Sequence, residues 1–161
     1  MGLSITQSEF SPEEFDRFAG KVRTNLEALT RLLNRPGFGE GESSIGAEVE
    51  FYIVNPNLRV QPSNTEIAAS VQDPQLTLEL NRFNLEYNLS PQAFRGTPFA
   101  RTEQELLTAI QRINQHAAPL NGELVSIGIL PTLRQSDMGA KVMTDAPRYH
   151  ALSNALVKQR G

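Results

Sequence analysis

Ile45-Gly46-Ala47-Glu48-Val49-Glu50-Phe51 and Leu76-Thr77-Leu78-Glu79-Leu80, the latter running on to Leu85-Glu86-Tyr87-Asn88, decide how the chain is read. Both alternate polar with apolar residues, and in a strand the side chains at i and i+2 share a face. Glu48 and Glu50 therefore point one way, while Ala47, Val49 and Phe51 point the other. Thr77, Glu79 and Asn81 oppose Leu76, Leu78 and Leu80; Asn84, Glu86 and Asn88 oppose Leu85, Tyr87 and Leu89. The polar register slips from odd to even numbers across Arg82-Phe83, which requires a turn or a bulge. A tight hairpin centred on that pair places Glu79 directly opposite Glu86, whereas a bulged single strand lines the two up along one face. In either arrangement four carboxylates, Glu48, Glu50, Glu79 and Glu86, converge on one sheet face.

Four like charges so placed repel unless cations neutralise them. Hard divalent cations such as Mg2+ take oxygen ligands, typically one or two carboxylates together with substrate phosphates. The cluster therefore suits a nucleotide held through its metals. The plain alternative is an antiparallel sheet with one solvated, acidic face.

A chain of 161 residues suits one domain with a sizeable core, here 1–161 with residues 1–10 loosely ordered. Fifteen basic and 18 acidic side chains give a formal net charge of -3, with no electrostatic footprint for nucleic acid or an anionic membrane. The lack of cysteine rules out disulfides and thiolate chemistry and fits a reducing compartment. No apolar run approaches a membrane helix and no signal-peptide pattern opens the chain, so a cytoplasmic location is expected. Met1-Gly2-Leu3-Ser4-Ile5-Thr6 formally matches the N-myristoylation pattern, which is short enough to arise by chance.

Ser11-Pro12-Glu13-Glu14 is a capping box with proline at the first helical position. Phe15, Phe18, Val22, Leu26, Leu29 and Leu33 then recur at helical spacing, until Arg35-Pro36-Gly37 stops the helix. The apolar stripe packs either on the back of the sheet or on a second copy of the chain. Gly37-Phe38-Gly39-Glu40-Gly41 follows a helix and precedes a strand, the reverse of a nucleotide fingerprint, and reads as a connector. A first strand is expected from about Ile45 to Val54, and a short returning strand at Leu58-Arg59-Val60. Residues 61–74 read as a loop with one helical turn, and residues 91–101 as irregular.

Thr102-Glu103-Gln104-Glu105 reads as a second capping box opening a helix that Asn121-Gly122 ends. His116 flanks its apolar stripe and reads as a helix-flank residue rather than a ligand. Leu124 to Leu130 is the next expected strand, and Pro131 to Met143 an irregular stretch with Arg134 and Lys141 as its cations. Asp145-Ala146-Pro147 starts a last helix with Arg148 and Tyr149 in its first turn. The order of helices and strands, with antiparallel-style alternation, reads as α+β.

Gly46-Ala47-Glu48-Val49-Glu50-Phe51 resembles the opening Gly-x-Glu-x-Glu-hydrophobic strand of the glutamate–cysteine ligase type 2, or carboxylate–amine ligase, family of the glutamine synthetase-like superfamily. The resemblance continues through Glu79-Leu80, Asn84 to Asn88, the helix ending in Ala117, the strand from Leu124 to Gly128 leading to Pro131, and Arg148-Tyr149, and covers about residues 44–155. It implies half of an antiparallel funnel with helices on its outer face, whose glutamates hold Mg2+ or Mn2+ ions that grip ATP. By position, Glu48, Glu50, Glu79 and Glu86 are the implied metal and nucleotide ligands. Arg148 is the implied contact for a substrate carboxylate or phosphate. The implied reaction joins glutamate to an amine such as cysteine through an acyl phosphate.

Two departures accompany the resemblance. Ligases of this family are usually more than twice as long, so the chain resembles their N-terminal part and is expected to be inactive in isolation. Gly128-Ile129-Leu130-Pro131 also lacks the usual small polar and aromatic residues at a strand end. The alternative is a non-catalytic module that keeps the half-sheet and uses its helical stripes for self-association or partner binding, because an open half-funnel exposes sheet edges.

Overall fold

The computed structural model describes residues 5–160. The first four residues of the myristoylation pattern lie outside them. The chain is α+β, with four α-helices and antiparallel sheets among the described residues. It forms two compact units, one of Ser43–Thr144 and the other of the segments on either side of it. No helix among the described residues is long and apolar enough to cross a membrane.

The flanking unit contains α1 (Pro12–Leu33) and α4 (Pro147–Arg160). The expected capping box opens α1: the Ser11 hydroxyl accepts from Glu14 N, and the Glu14 carboxylate accepts from Ser11 N at 2.8 Å. Ring-edge contact between Phe10 and Phe15 holds the preceding segment beside the first turn. No residue of α1 is buried.

The central unit is built on a four-stranded antiparallel sheet, β3 (Leu76–Leu78), β4 (Asn84–Asn88), β2 (Glu48–Val54) and β6 (Glu123–Val125), in that spatial order. Phe51, Ile53, Leu76, Leu85, Tyr87 and Leu124 turn to one face, as their alternation requires, and meet α2 (Asn64–Val71) and α3 (Pro98–Ala117). Ile67 from α2 and Ile113 and Ala117 from α3 complete the core, all three fully buried. A separate two-stranded ribbon pairs β1 (Ser44–Ile45) with β5 (Gln92–Ala93).

Several expectations are corrected. The strand expected from Ile45 to Val54 is two strands, because β1 serves the ribbon and β2 the main sheet, with Gly46-Ala47 between them. Residues 61–74 carry an eight-residue helix, α2, instead of a single turn. The third helix starts at Pro98, so Thr102 lies inside it and its hydroxyl donates to the Pro98 carbonyl at 3.1 Å. Glu105 caps no helix; it accepts from Ser90 N at 2.9 Å and fastens α3 to the end of β4. The strand expected from Leu124 to Leu130 is only three residues long. Continued in register, it would bring Ile127 opposite Glu50 on the acidic face; the chain instead leaves the sheet after Val125.

The tight hairpin at Arg82-Phe83 is also overturned. The register is Leu76 with Tyr87, Thr77 with Glu86 and Leu78 with Leu85, so Thr77 occupies the place expected for Glu79. Residues 79–83 form a connector that pairs elsewhere. Arg82 N donates to the Val142 carbonyl and Thr144 N to the Leu80 carbonyl, each at 2.8 Å. Val60 makes the short return expected near Arg59 as a single bridge to Val54.

Candidate carboxylate site on the open sheet face

The face of the sheet away from α2 and α3 carries the acidic residues. Glu50 on β2 stands directly opposite Glu86 on β4, and Glu48 opposite Asn88. Residues so paired share a face, with Cβ atoms about 4.5–5.5 Å apart. Strand alternation thus gathers three of the four expected carboxylates. Glu48 and Glu50 are exposed and Glu86 is half-buried.

Glu86 is held by its neighbours. The Thr77 hydroxyl donates to its Oε1 at 3.1 Å and the Asn88 amide to the same atom at 2.8 Å. Asn88 is itself bound to the Thr77 hydroxyl at 3.3 Å, so three side chains from two strands form one connected group. Sequence reasoning placed Thr77 and Asn88 only as members of the polar alternation. Their role depends on the β3–β4 register, which the alternation left open. Towards β6 the face is closed by Tyr52, stacked on Phe83 with ring centroids 6.1 Å apart. Beside Glu48, a hollow is lined by Gly46, Ala47, Asn88, Leu89 and Pro91.

Glu79 lies past the end of β3, in the connector. Its carboxylate accepts from Leu80 N at 3.2 Å and its backbone carbonyl from the Thr144 hydroxyl at 2.5 Å. The connector is anchored from below by Asn64, fully buried at the start of α2. The Asn64 amide donates to the carbonyls of Asn81 and Asn84, both at 3.2 Å, and to the Thr144 hydroxyl at 2.9 Å. Asn84 in turn donates to the Phe51 carbonyl at 3.2 Å, joining this network to β2. Nothing in the sequence marked Asn64 or Thr144, because a buried polar network is defined by contacts between distant segments.

Arg148 belongs to the flanking unit, in the first turn of α4. Its guanidinium lies 4.5 Å from the centroid of the buried Tyr149 ring and donates to the Tyr149 hydroxyl. Arg59 is a cation the sequence reading passed over: it pairs with Asp137 and donates to the Thr132 carbonyl, clamping the segment after β6. His116 meets Ser70 at 2.7 Å, bridging α3 and α2 from the helix flank as expected.

A second polar cluster lies around Tyr87. Burial raises the pKa of its hydroxyl, and the Glu105 charge adds to the rise. Burial pushes the Glu105 carboxyl up as well, but hydrogen bonds from Gln75 and Ser90 outweigh it, so the group titrates below its ordinary range. Asp73 is paired with Arg112 and accepts from the Tyr87 hydroxyl at 3.3 Å. These contacts fasten α3 to the sheet.

The family model for glutamate-cysteine ligase family 2 (GCS2) matches residues 44–161. The chain belongs to that family. The match covers β1 to β6 and α2 to α4, and it begins after α1 has ended. Comparison with curated proteins and with solved structures gave no match. Membership supports a function of the carboxylate–amine ligase kind.

Among the described residues, no three histidine, cysteine, aspartate or glutamate side chains are gathered closely enough to enclose a metal ion by themselves. Mg2+ does not require that: it binds through one or two carboxylates and takes the rest of its shell from water and substrate phosphates. The opposed pair Glu50 and Glu86 offers hard oxygen donors on an open face and fits such an ion. Among the described residues neither they nor Glu48 is ion-paired to lysine or arginine.

Proposed function

We propose that the acidic face of β2 and β4 is the nucleotide–metal platform of an ATP-dependent ligase that joins the γ-carboxylate of glutamate to an amine such as that of cysteine. The carrying observation is the placement of Glu50 opposite Glu86. Like charges directly opposed across a strand pair destabilise a sheet, and a fold that retains them without a basic neighbour has a use for the charge. Family membership supplies the reaction class.

In this reading ATP transfers its γ-phosphoryl group to the glutamate side-chain carboxylate, with ADP leaving. The amine then attacks the acyl phosphate, forms the amide, loses a proton and expels phosphate. Mg2+ or Mn2+ would neutralise charge on the transferring group. Glu50 and Glu86 would hold the ion, with Glu48 beside them and Glu79 at the connector as further ligands or as anchors for metal-bound water. The hydrogen bonds from Thr77 and Asn88 fix Glu86 before any ligand arrives, so less order is lost on binding. Arg148 would receive a substrate carboxylate or phosphate.

Electron paramagnetic resonance of Mn2+ tests the platform. Free Mn2+ signal should fall on addition of the protein, and fall further with ATP present. Glu50→Gln and Glu86→Gln should each restore most of the free signal. An unchanged titration in both variants would remove the acidic face from the reaction.

A further inference from the structure

Strand β2 is paired along its length on one side only. Leu89 N donates to the Ala47 carbonyl at 2.9 Å and Ile53 N to the Phe83 carbonyl at 2.8 Å, so the odd-numbered residues turn their backbone groups towards β4. The even-numbered residues turn theirs the other way, where β6 meets only Tyr52 and Val54. Among the described residues, nothing bonds the backbone N–H and C=O groups that Glu48 and Glu50 present to that edge. An open edge of this kind is a template for a further strand.

The continuation of β6 is the strand that fits it. In the β2–β6 register Ile127 falls opposite Glu50 and Ile129 opposite Glu48. Val125-Ser126-Ile127-Gly128-Ile129 is rich in β-branched residues, yet the chain leaves the sheet after Val125, with Ile127 42% and Ile129 78% exposed. Charge is one reason. Directly opposed residues share a face, so pairing would press two isoleucines against Glu50 and Glu48 and strip water from carboxylates that already confront Glu86. A tether is the other. The Thr132 hydroxyl donates to the Leu58 carbonyl at 2.5 Å, and Arg59 donates to the Thr132 carbonyl while pairing with Asp137. With Ile129 beside Glu48, Thr132 could lie at most about 11 Å further on. Leu58 follows the far end of β2, roughly 20 Å from Glu48 at the rise of a strand. Tethering and pairing therefore exclude each other.

We propose that Ser126–Ile129 is a strap that leaves the Arg59 tether and pairs with Glu48–Phe51 of β2 once a divalent cation has neutralised the acidic face. Closure lays Ile127 and Ile129 along Glu50 and Glu48 and shuts water out of the site from the β6 side. The cation as trigger rests on the ligase reading; the competition between charge and strand pairing does not.

Amide exchange of the full chain reads the strap, because pairing supplies acceptors to the N–H groups of Glu48 and Glu50. Mg-ATP should slow both amides of the wild type by about tenfold or more. Ile127→Pro removes the N–H that bonds the Glu50 carbonyl in the closed state, and it lies outside any strand or helix of the open one. That variant should bind Mg-ATP and show no slowing. In Glu48→Gln/Glu50→Gln/Arg59→Ala the charges and the tether are both gone, so the amides at positions 48 and 50 should be slow without any cation. Fast exchange there would overturn the strap, as would slowing by Mg-ATP that persists in Ile127→Pro. Slow exchange in the triple variant, with no effect of Mg-ATP on the wild type, would support the strap and overturn the cation as its trigger.

Discussion

Glu50 and Glu86 carry the functional argument at the scale of single residues, and they do so through their cost. Opposed carboxylates destabilise a strand pair by about 0.2–1 kcal/mol. Glu50→Gln should therefore raise the melting temperature measured without divalent cations by a few degrees. Added Mn2+ should raise the melting temperature of the wild type, and that rise should be absent in the same variant. A melting temperature that falls in Glu50→Gln would mean that the glutamate is structural. Asn64 shows the opposite case. Replacing it with leucine removes a donor shared by the Asn84 carbonyl, the Thr144 hydroxyl and the Asn81 carbonyl, the last of which keeps Asn84 N, and costs about 1–3 kcal/mol for buried groups. Urea unfolding should show that loss, and amide exchange should quicken across residues 79–84, the connector that carries Glu79.

Two contacts control the elements. Gly122 follows the left-handed Asn121 that ends the turn after α3, and a Cβ there would meet Ile53 Cγ2 at 3.0 Å and the Ala117 carbonyl at 3.3 Å. Gly122→Ala should accordingly cost about 1–3 kcal/mol by overpacking, measured by thermal unfolding. Glu105 ties α3 to the end of β4, and its pKa is lowered in the folded state. A lowered carboxyl contributes stability above its unfolded pKa and loses it as pH falls through the folded one. Wild-type stability should therefore decline below about pH 4.5 relative to Glu105→Gln, with the two curves parallel at neutral pH.

These elements also show how far the sequence could be read. The α1 helix and its cap, the alternation of β2 and β4 and the apolar face of α3 were legible because each is a local pattern with a fixed period. The start of α3 was misread because Thr102-Glu103-Gln104-Glu105 has the composition of a cap while Glu105 is engaged by Ser90, fifteen residues away. The β3–β4 register, left open between a tight hairpin and a bulged strand, matched neither for the same kind of reason. Arg82-Phe83 has the length of a tight turn, but its backbone is held by Val142 and its surroundings by Asn64 and Thr144. Contacts across 60 to 80 residues leave no periodic trace. Of the site, Glu48, Glu50 and Glu86 follow from alternation alone, whereas the Thr77–Asn88 support of Glu86 required the register.

Across the whole molecule, the central unit presents a sheet with one face packed on α2 and α3 and the other acidic, and the family match covers all of that unit but Ser43. The flanking unit carries Arg148, proposed above as a contact for a substrate carboxylate or phosphate. The central claim is that the acidic face grips a nucleotide through its metal, and calorimetric titration of Mg-ATP tests it most directly. Wild-type protein should show saturable binding that requires Mg2+ and disappears in Glu48→Gln/Glu50→Gln, with the variant's unfolding curve otherwise intact. Equal binding in the wild type and the double variant, or none in a folded wild-type chain, would contradict it.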